Sequence, residues 1–372
     1  MGKPDARRPN ALALKPSTPT IGARVVYWYV GREGWPAPCL RTPHRYGPLV
    51  NAPTATTPGT SGRDVETGIL IMAAAMLMVP CMDAIAKTLA ATVAPGQVAW
   101  ARFFFQTIFL LPAVLTMRRK SARGQAAGGQ AVPPRLDLHA ARGGLIAVAT
   151  LLFFWALKHL PMADAIAIFF VEPLILTLLS ALLLGEPIGW RRLAAVAVGF
   201  GGALVIIRPS WQAFGWAAVL PLGSAFCFAL YLILTRLLAK RESAAAMQFW
   251  AGLFGALVLS AALGIGAGAG IGVIEPVWPS LRDWGLMVGL GVLATVSHIL
   301  VVFAFRRAPA GVLAPFQYIE IISATLLGLL VFGDFPDATT WAGVAIIIGS
   351  GLYVFHRERR IARRAAPLPD TP

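Results

Sequence analysis

Two glutamates sit where a chain can least easily hold a charge. Glu172 lies inside the apolar run 166–184, and Glu320 lies inside a second run 148 residues later. Each run can cross a bilayer, which takes ~20 residues at ~1.5 Å rise each. An acid at the centre of such a helix costs about 2.5–3.5 kcal/mol, so a bundle turns it inward. Two inward carboxylates can bind a polar or cationic substrate, or take up and release protons. The plainer reading is a pair of buried acids that hold helices together. Gln317, one turn before Glu320, and Ser323, almost one turn after it, extend a polar stripe. Pro173 cannot donate to the carbonyl of Phe169, which leaves a backbone acceptor free beside Glu172.

Further charges lie nearby in hydrophobic sequence. Asp83 and Lys87 have i,i+4 spacing, acid before base, on one helical face. Lys87 is also close enough to a span end to snorkel. Arg102 sits deeper and has two readings, an anion ligand or a partner of Asp83. Trp100, Trp155 and Tyr318 offer stacking surfaces to a ring-bearing substrate, or pack against lipid and neighbours. His298 reads as an interhelical hydrogen-bonding residue. The three cysteines, Cys39, Cys81 and Cys227, form no CxxC or metal-ligand spacing. No HExxH, GxSxG or Walker loop occurs, so no cofactor, metal or ATP chemistry is expected, and no enzyme.

The two glutamate runs are copies. Pro161 pairs with Pro309, Glu172 with Glu320, Thr177 with Thr325 and Gly185 with Gly333, with eight identities over the 35 positions 153–187. Around them, ten apolar spans are predicted at 67–89, 97–117, 141–158, 162–184, 191–207, 214–237, 246–266, 284–306, 310–332 and 339–356. The fold class is therefore an all-α membrane protein of ten transmembrane helices in two five-helix repeats, 67–207 and 214–356. Lys and Arg at alternate connections and their adjoining span ends number 27 on one side against three on the other, Lys158, Arg208 and Arg282. The positive-inside rule then puts both termini in the cytoplasm. Span 4 and span 9 run in opposite directions, so the repeats are inverted, an arrangement that places a binding site near the midplane. Small-residue ridges, Ala195/Gly199/Ala203 in span 5, Ala345/Gly349 in span 10 and Gly285/Gly289 in span 8, are expected to mediate close helix contact.

The chain of 372 residues is 57% hydrophobic and 13% charged, against roughly 25% charged in soluble domains. Its net charge of +15 lies in loops and termini, which speaks against nucleic acid as a partner. Residues 1–66 are rich in Pro, Arg, Gly and Thr and read as a disordered basic extension or a mispredicted start. Residues 357–372 read as a basic cytoplasmic tail.

Three sequence features together resemble the drug/metabolite transporter superfamily, in its EamA-type branch. They are Asp83-Ala-Ile-Ala-Lys87 closing span 1, Trp100-Ala-Arg-Phe103 opening span 2, and Leu-Leu-Leu-Gly185-Glu186-Pro187 ending span 4. The resemblance covers about residues 67–357. It implies a central cavity from spans 1–4 and 6–9, with spans 5 and 10 peripheral. It also implies secondary transport of amino acids, nucleotide-related metabolites, vitamins or drugs. Span 4 looks closest to members that take up S-adenosylmethionine or riboflavin. The expectation is a secondary transporter in the cell inner membrane that moves a small polar or amphipathic metabolite by alternating access. Its partners would be the substrate, the lipid bilayer, a coupled proton and a second copy in a homodimer. The alternatives are a channel, separable by counterflow, and an intramembrane enzyme acting on lipid, which would need a nucleophile or metal cluster.

Overall fold

The computed structural model describes residues 62–125, 135–184, 189–238, 242–308 and 310–365. The extension before residue 62, the Gly185-Glu186-Pro187 motif and Pro309 lie outside them. The helices are α1 (Gly62–Leu89), α2 (Pro95–Gln125), α3 (Leu136–His159), α4 (Met162–Phe169), α5 (Glu172–Leu184), α6 (Trp190–Phe214), α7 (Leu220–Leu238), α8 (Ala244–Ala269), α9 (Leu281–Arg307), α10 (Ala310–Gln317), α11 (Ile319–Leu327) and α12 (Ala338–Ala365). Among the described residues, nine helical stretches are long and apolar enough to cross a membrane, and Ala338–Val354 is a shorter tenth. Helices suit this setting because lipid offers no partner to a free backbone group.

The halves interleave. Helix α1 packs on α9 and α11, and its repeat equivalent α7 packs on α3 and α5. Helix α2 packs on α9 as α8 packs on α3, while α2 pairs with α8 and α6 with α12. Each of these cross-half contacts has a mate with the halves exchanged, as a two-fold relation requires. Helix direction then places the start of α1 and the end of α12 at one end of the bundle, here the terminal end.

Two glycines show how closely the symmetry is kept. A Cβ on Gly143 of α3 would collide with Phe254 of α8, and one on Gly291 of α9 would collide with Phe105 of α2. Gly143 and Gly291 are 148 apart, and Phe105 and Phe254 are 149 apart. Only glycine lets the paired backbones come this near.

The small-residue ridges divide on inspection. Ala195, Gly199 and Ala203 are buried on α6, where Gly199 faces Leu174 and Ser350. On α12 the buried face carries Gly343, against Ile206 and Gly202, whereas Ala345 and Gly349 are exposed. On α9, Gly285 is exposed and Gly291 makes the tight contact. Spacing finds a ridge but not the face that a neighbour covers.

Spans 4 and 9, expected as single helices, are each broken at the glutamate. α4 ends at Phe169 and α5 begins at Glu172; α10 ends at Gln317 and α11 begins at Ile319. The missing proline donors fall at these breaks. Pro173 leaves Phe169 without its helical partner, and Pro315 lies inside the short α10. Tight turns bridge the gaps, Leu174 N–H to Val171 O at 3.0 Å and Ile321 N–H to Tyr318 O at 3.2 Å.

The long connection before α9 folds back onto the bundle. Gln97 donates to Val277 O at 2.8 Å and accepts from Val277 N–H at 2.9 Å, and Gly96 N–H reaches Val273 O at 2.9 Å. Ser280 and Asp283 then cap α9 reciprocally.

Candidate functional site

The two helix breaks meet. Phe170 and Tyr318, equivalents under the repeat, have ring centroids 5.5 Å apart. Equivalent residues touch only at the symmetry axis, so the glutamates flank the centre of the molecule. Glu172 is buried, feels the charge of Arg236 on α7, and acts on the Tyr318 hydroxyl. Its Oε1 has no hydrogen-bond partner among the described residues. Half-buried Glu320 faces the charge of Asp83 on α1. Ser323, one turn on, donates to Leu77 O of α1 at 3.2 Å. Gln317 is half-buried at the last turn of α10.

Arg102 and Asp83 are both buried, and no hydrogen bond or ion pair joins them among the described residues. Arg102 donates through Nη1 to Thr150 on α3, its charge reaches Tyr231 on α7 and His298 on α9, and its Nε lacks a partner among the described residues. His298 uses Nδ1 on Ala294 O of its own helix at 2.7 Å, so that bond does not join helices as expected.

One turn along the same face of α2 is Gln106, fully buried, with neither Nε2 nor Oε1 partnered among the described residues. A buried polar group left unpaired costs about 1–3 kcal/mol. Arg102, Gln106 and Glu172 each carry a buried polar atom of this kind, on one cationic donor, one amide and one acid.

Lys87 belongs elsewhere. Its Nζ donates to Asp334 at 2.7 Å and to Leu160 O at 3.1 Å, and lies 4.8 Å from the Phe332 ring centroid. It therefore joins the halves at the end opposite the termini rather than pairing with Asp83. Asp164 bonds Thr340 at 3.1 Å at that same end. The terminal end has its own bridge. Arg142 of α3 is buried and donates to Thr235, Tyr231 and the carbonyl of Met247, while His139 Nε2 lies 2.8 Å from Glu242.

Two aromatic candidates lie apart from the centre. Trp100 stacks on exposed Phe104 at 4.6 Å and donates to Ser260 on α8 at 2.9 Å. Trp155 meets Trp216 edge-on at 4.8 Å. Sequence reasoning missed Gln106, Thr150, Tyr231 and Arg142. Arg142 was counted among the basic charges of a connection. Gln106 had a signal, its position one turn from Arg102.

The helices thus form two inverted repeats, with buried polar side chains inside and a polar bridge at each end. The EamA-like transporter family matches residues 66–208 and again 215–355, and the chain belongs to it: the protein is a multi-pass membrane transporter of small metabolites. The S-adenosylmethionine uptake transporter of Rickettsia bellii is 27% identical over 278 residues, 75% of this chain and 89% of that one. The riboflavin transporter of Vibrio cholerae is 29% identical over 72% of this chain and 85% of its own. The pseudopaline exporter CntI of Pseudomonas aeruginosa is 30% identical, covering 76% and 94%. A solved crystal structure at 22% identity superposes with a TM-score of 0.53 over 80% of this chain and 99% of its own, which speaks for the fold alone.

Proposed function

We propose that the protein is a proton-coupled secondary carrier of the cell inner membrane, with both termini cytoplasmic, that moves a polar, ring-bearing metabolite by alternating access. The observation that carries this reading is the arrangement of three polar layers. The central site of Asp83, Arg102, Gln106, Glu172 and Glu320 lies between two bridges that each tie one half to the other. Lys87 with Asp334 closes one end, and Arg142 with Tyr231, Thr235 and Met247 closes the other. Alternating access needs bridges that open one at a time around a fixed site.

Proton coupling has a physical basis in the same layer. Carboxylates inside a membrane bundle can take up and release protons as well as bind substrate. Substrate or proton binding at Asp83, Glu172 and Glu320 would then compete. The S-adenosylmethionine uptake transporter and the riboflavin transporter among the relatives support a ring-bearing substrate here, and the pseudopaline exporter leaves the direction of transport to experiment.

The test is counterflow in proteoliposomes with labelled S-adenosylmethionine and riboflavin, with and without a pH gradient. Saturable exchange that responds to the gradient is expected. Non-saturable flux without counterflow would instead mean a channel. Single cysteines at Ala122 and Ala366 should label only from the cytoplasm and one at Gln212 only from outside; reversed labelling at any of them sinks the orientation.

A further inference from the structure

We infer that Gln106 reads the edge of the transported molecule, and that this edge carries a hydrogen-bond acceptor and donor side by side, as on a neutral nitrogen heterocycle or cyclic amide. The inference rests on the carrier reading above and narrows it to a chemical class.

Gln106 is fully buried, with both ends of its carboxamide unpartnered among the described residues. Meeting it requires an acceptor for Nε2 and a donor for Oε1 at once. A carboxylate would satisfy Nε2 while setting negative charge against Oε1, and an ammonium would do the reverse. A planar edge with donor beside acceptor satisfies both through two parallel bonds, the pairing by which Gln reads an adenine edge.

The surroundings agree. Phe105 is taken up by α9 at Gly291, and Phe103 by α8 at Gly255, so Gln106 holds the face of α2 between them, together with Arg102 four residues earlier. With Phe105 and Phe254 as equivalents, the counterparts of Arg102 and Gln106 in the second half are Ala251 and Gly255. Only one half presents the carboxamide and the guanidinium, so the ligand is read from one side. Glu172 Oε1 is also an open acceptor among the described residues and suits a donor or a cationic group on the same molecule.

The test is calorimetric titration of the purified full-length chain with two neutral probes, adenosine and uridine, and with their edge-blocked analogues N6,N6-dimethyladenosine and 3-methyluridine. The wild type is expected to bind at least one parent about tenfold or more tightly than its blocked analogue. Gln106→Leu is expected to bind parent and analogue equally weakly. Without ligand, Gln106→Leu should melt at or above the wild-type temperature, because it removes an unpaired buried amide. Absence of binding to either parent, absence of discrimination, or discrimination that survives in Gln106→Leu overturns the inference. So does a Gln106→Leu protein that melts well below wild type, since the carboxamide would then be structural. Binding is read here without transport, so the carrier reading stands or falls separately on counterflow.

Discussion

The two halves of the molecule agree where they build the scaffold and differ where they face the centre. Gly143 and Gly291 hold the same close approach, and the helix breaks before Glu172 and at Tyr318 occupy matching positions. At the centre, Asp83 stands opposite Tyr231, Thr150 opposite His298, and Arg102 and Gln106 opposite Ala251 and Gly255. Close packing tolerates little change, because one added methylene in a tight interface is felt. A site that binds an asymmetric molecule has no reason to stay symmetric. The scaffold therefore records the repeat, and under the proposed function the differences between the halves would record the ligand.

The largest expected effect strikes this contrast directly. Glu172→Gln and Glu320→Gln are equivalent by symmetry but not in surroundings, since one acid faces Arg236 and the other Asp83. Both variants should insert and fold, and both should lose transport, by about 10²-fold or more for a group that handles the proton. Their pH profiles should flatten to different extents. Proteoliposome uptake across the weakly acidic to weakly alkaline range measures this, and wild-type transport by both would make the acids structural.

The bridges come next. Arg142→Gln gives up hydrogen bonds to three partners in a buried setting and should cost on the order of 3 kcal/mol. Lys87→Met breaks a pair in which Asp334 is 36% exposed, so solvent screening leaves about 1 kcal/mol or less. Thermal melts rank the two. Cysteine accessibility should show the terminal end opening in Arg142→Gln and the opposite end in Lys87→Met. An identical pattern in both would dissolve the idea of two separate gates.

If the scaffold is symmetric in energy as well as shape, Gly143→Ala and Gly291→Ala should destabilise alike, each by ~1–3 kcal/mol through overpacking. A difference well beyond that range between the two would show one interface to be the more rigid.

The smallest effect is at the start of α12, where Asp337 accepts from Thr340 N–H at 2.7 Å and from Thr339 Oγ1 at 2.9 Å. The Thr340 backbone bond, foremost, holds this carboxyl below its ordinary value. A lowered folded pKa means the stabilisation is complete above the unfolded value of ~3.9 and is lost as pH falls through the folded one. Asp337→Ala should cost less than ~1 kcal/mol after allowance for its exposure, with the difference from wild type vanishing in strong acid.

Much of the molecule was legible in its residues. The spans could be read because lipid forces every crossing segment to be apolar and helical. The inversion followed from an odd number of spans per repeat. Glu172 and Glu320 stood out because a charge in an apolar run needs a reason. What the residues left open was partnership. Lys87 bonds a residue 247 positions away and not its neighbour one turn back, and Arg102 bonds Thr150 on α3. Arg142 looked like one more basic residue of a connection and is a buried bridge. The exposed Ala345–Gly349 pair shows the same limit for packing.

Sequence alone determined what must leave water, where the chain crosses and which acids are out of place, because these are local matters of solvation and period. Only the tertiary structure decided which polar groups meet and which are left unmet, as Gln106 and Glu172 Oε1 are. A hydrogen bond depends on atoms brought within about 3 Å from helices far apart in the chain, and hydropathy has no term for that.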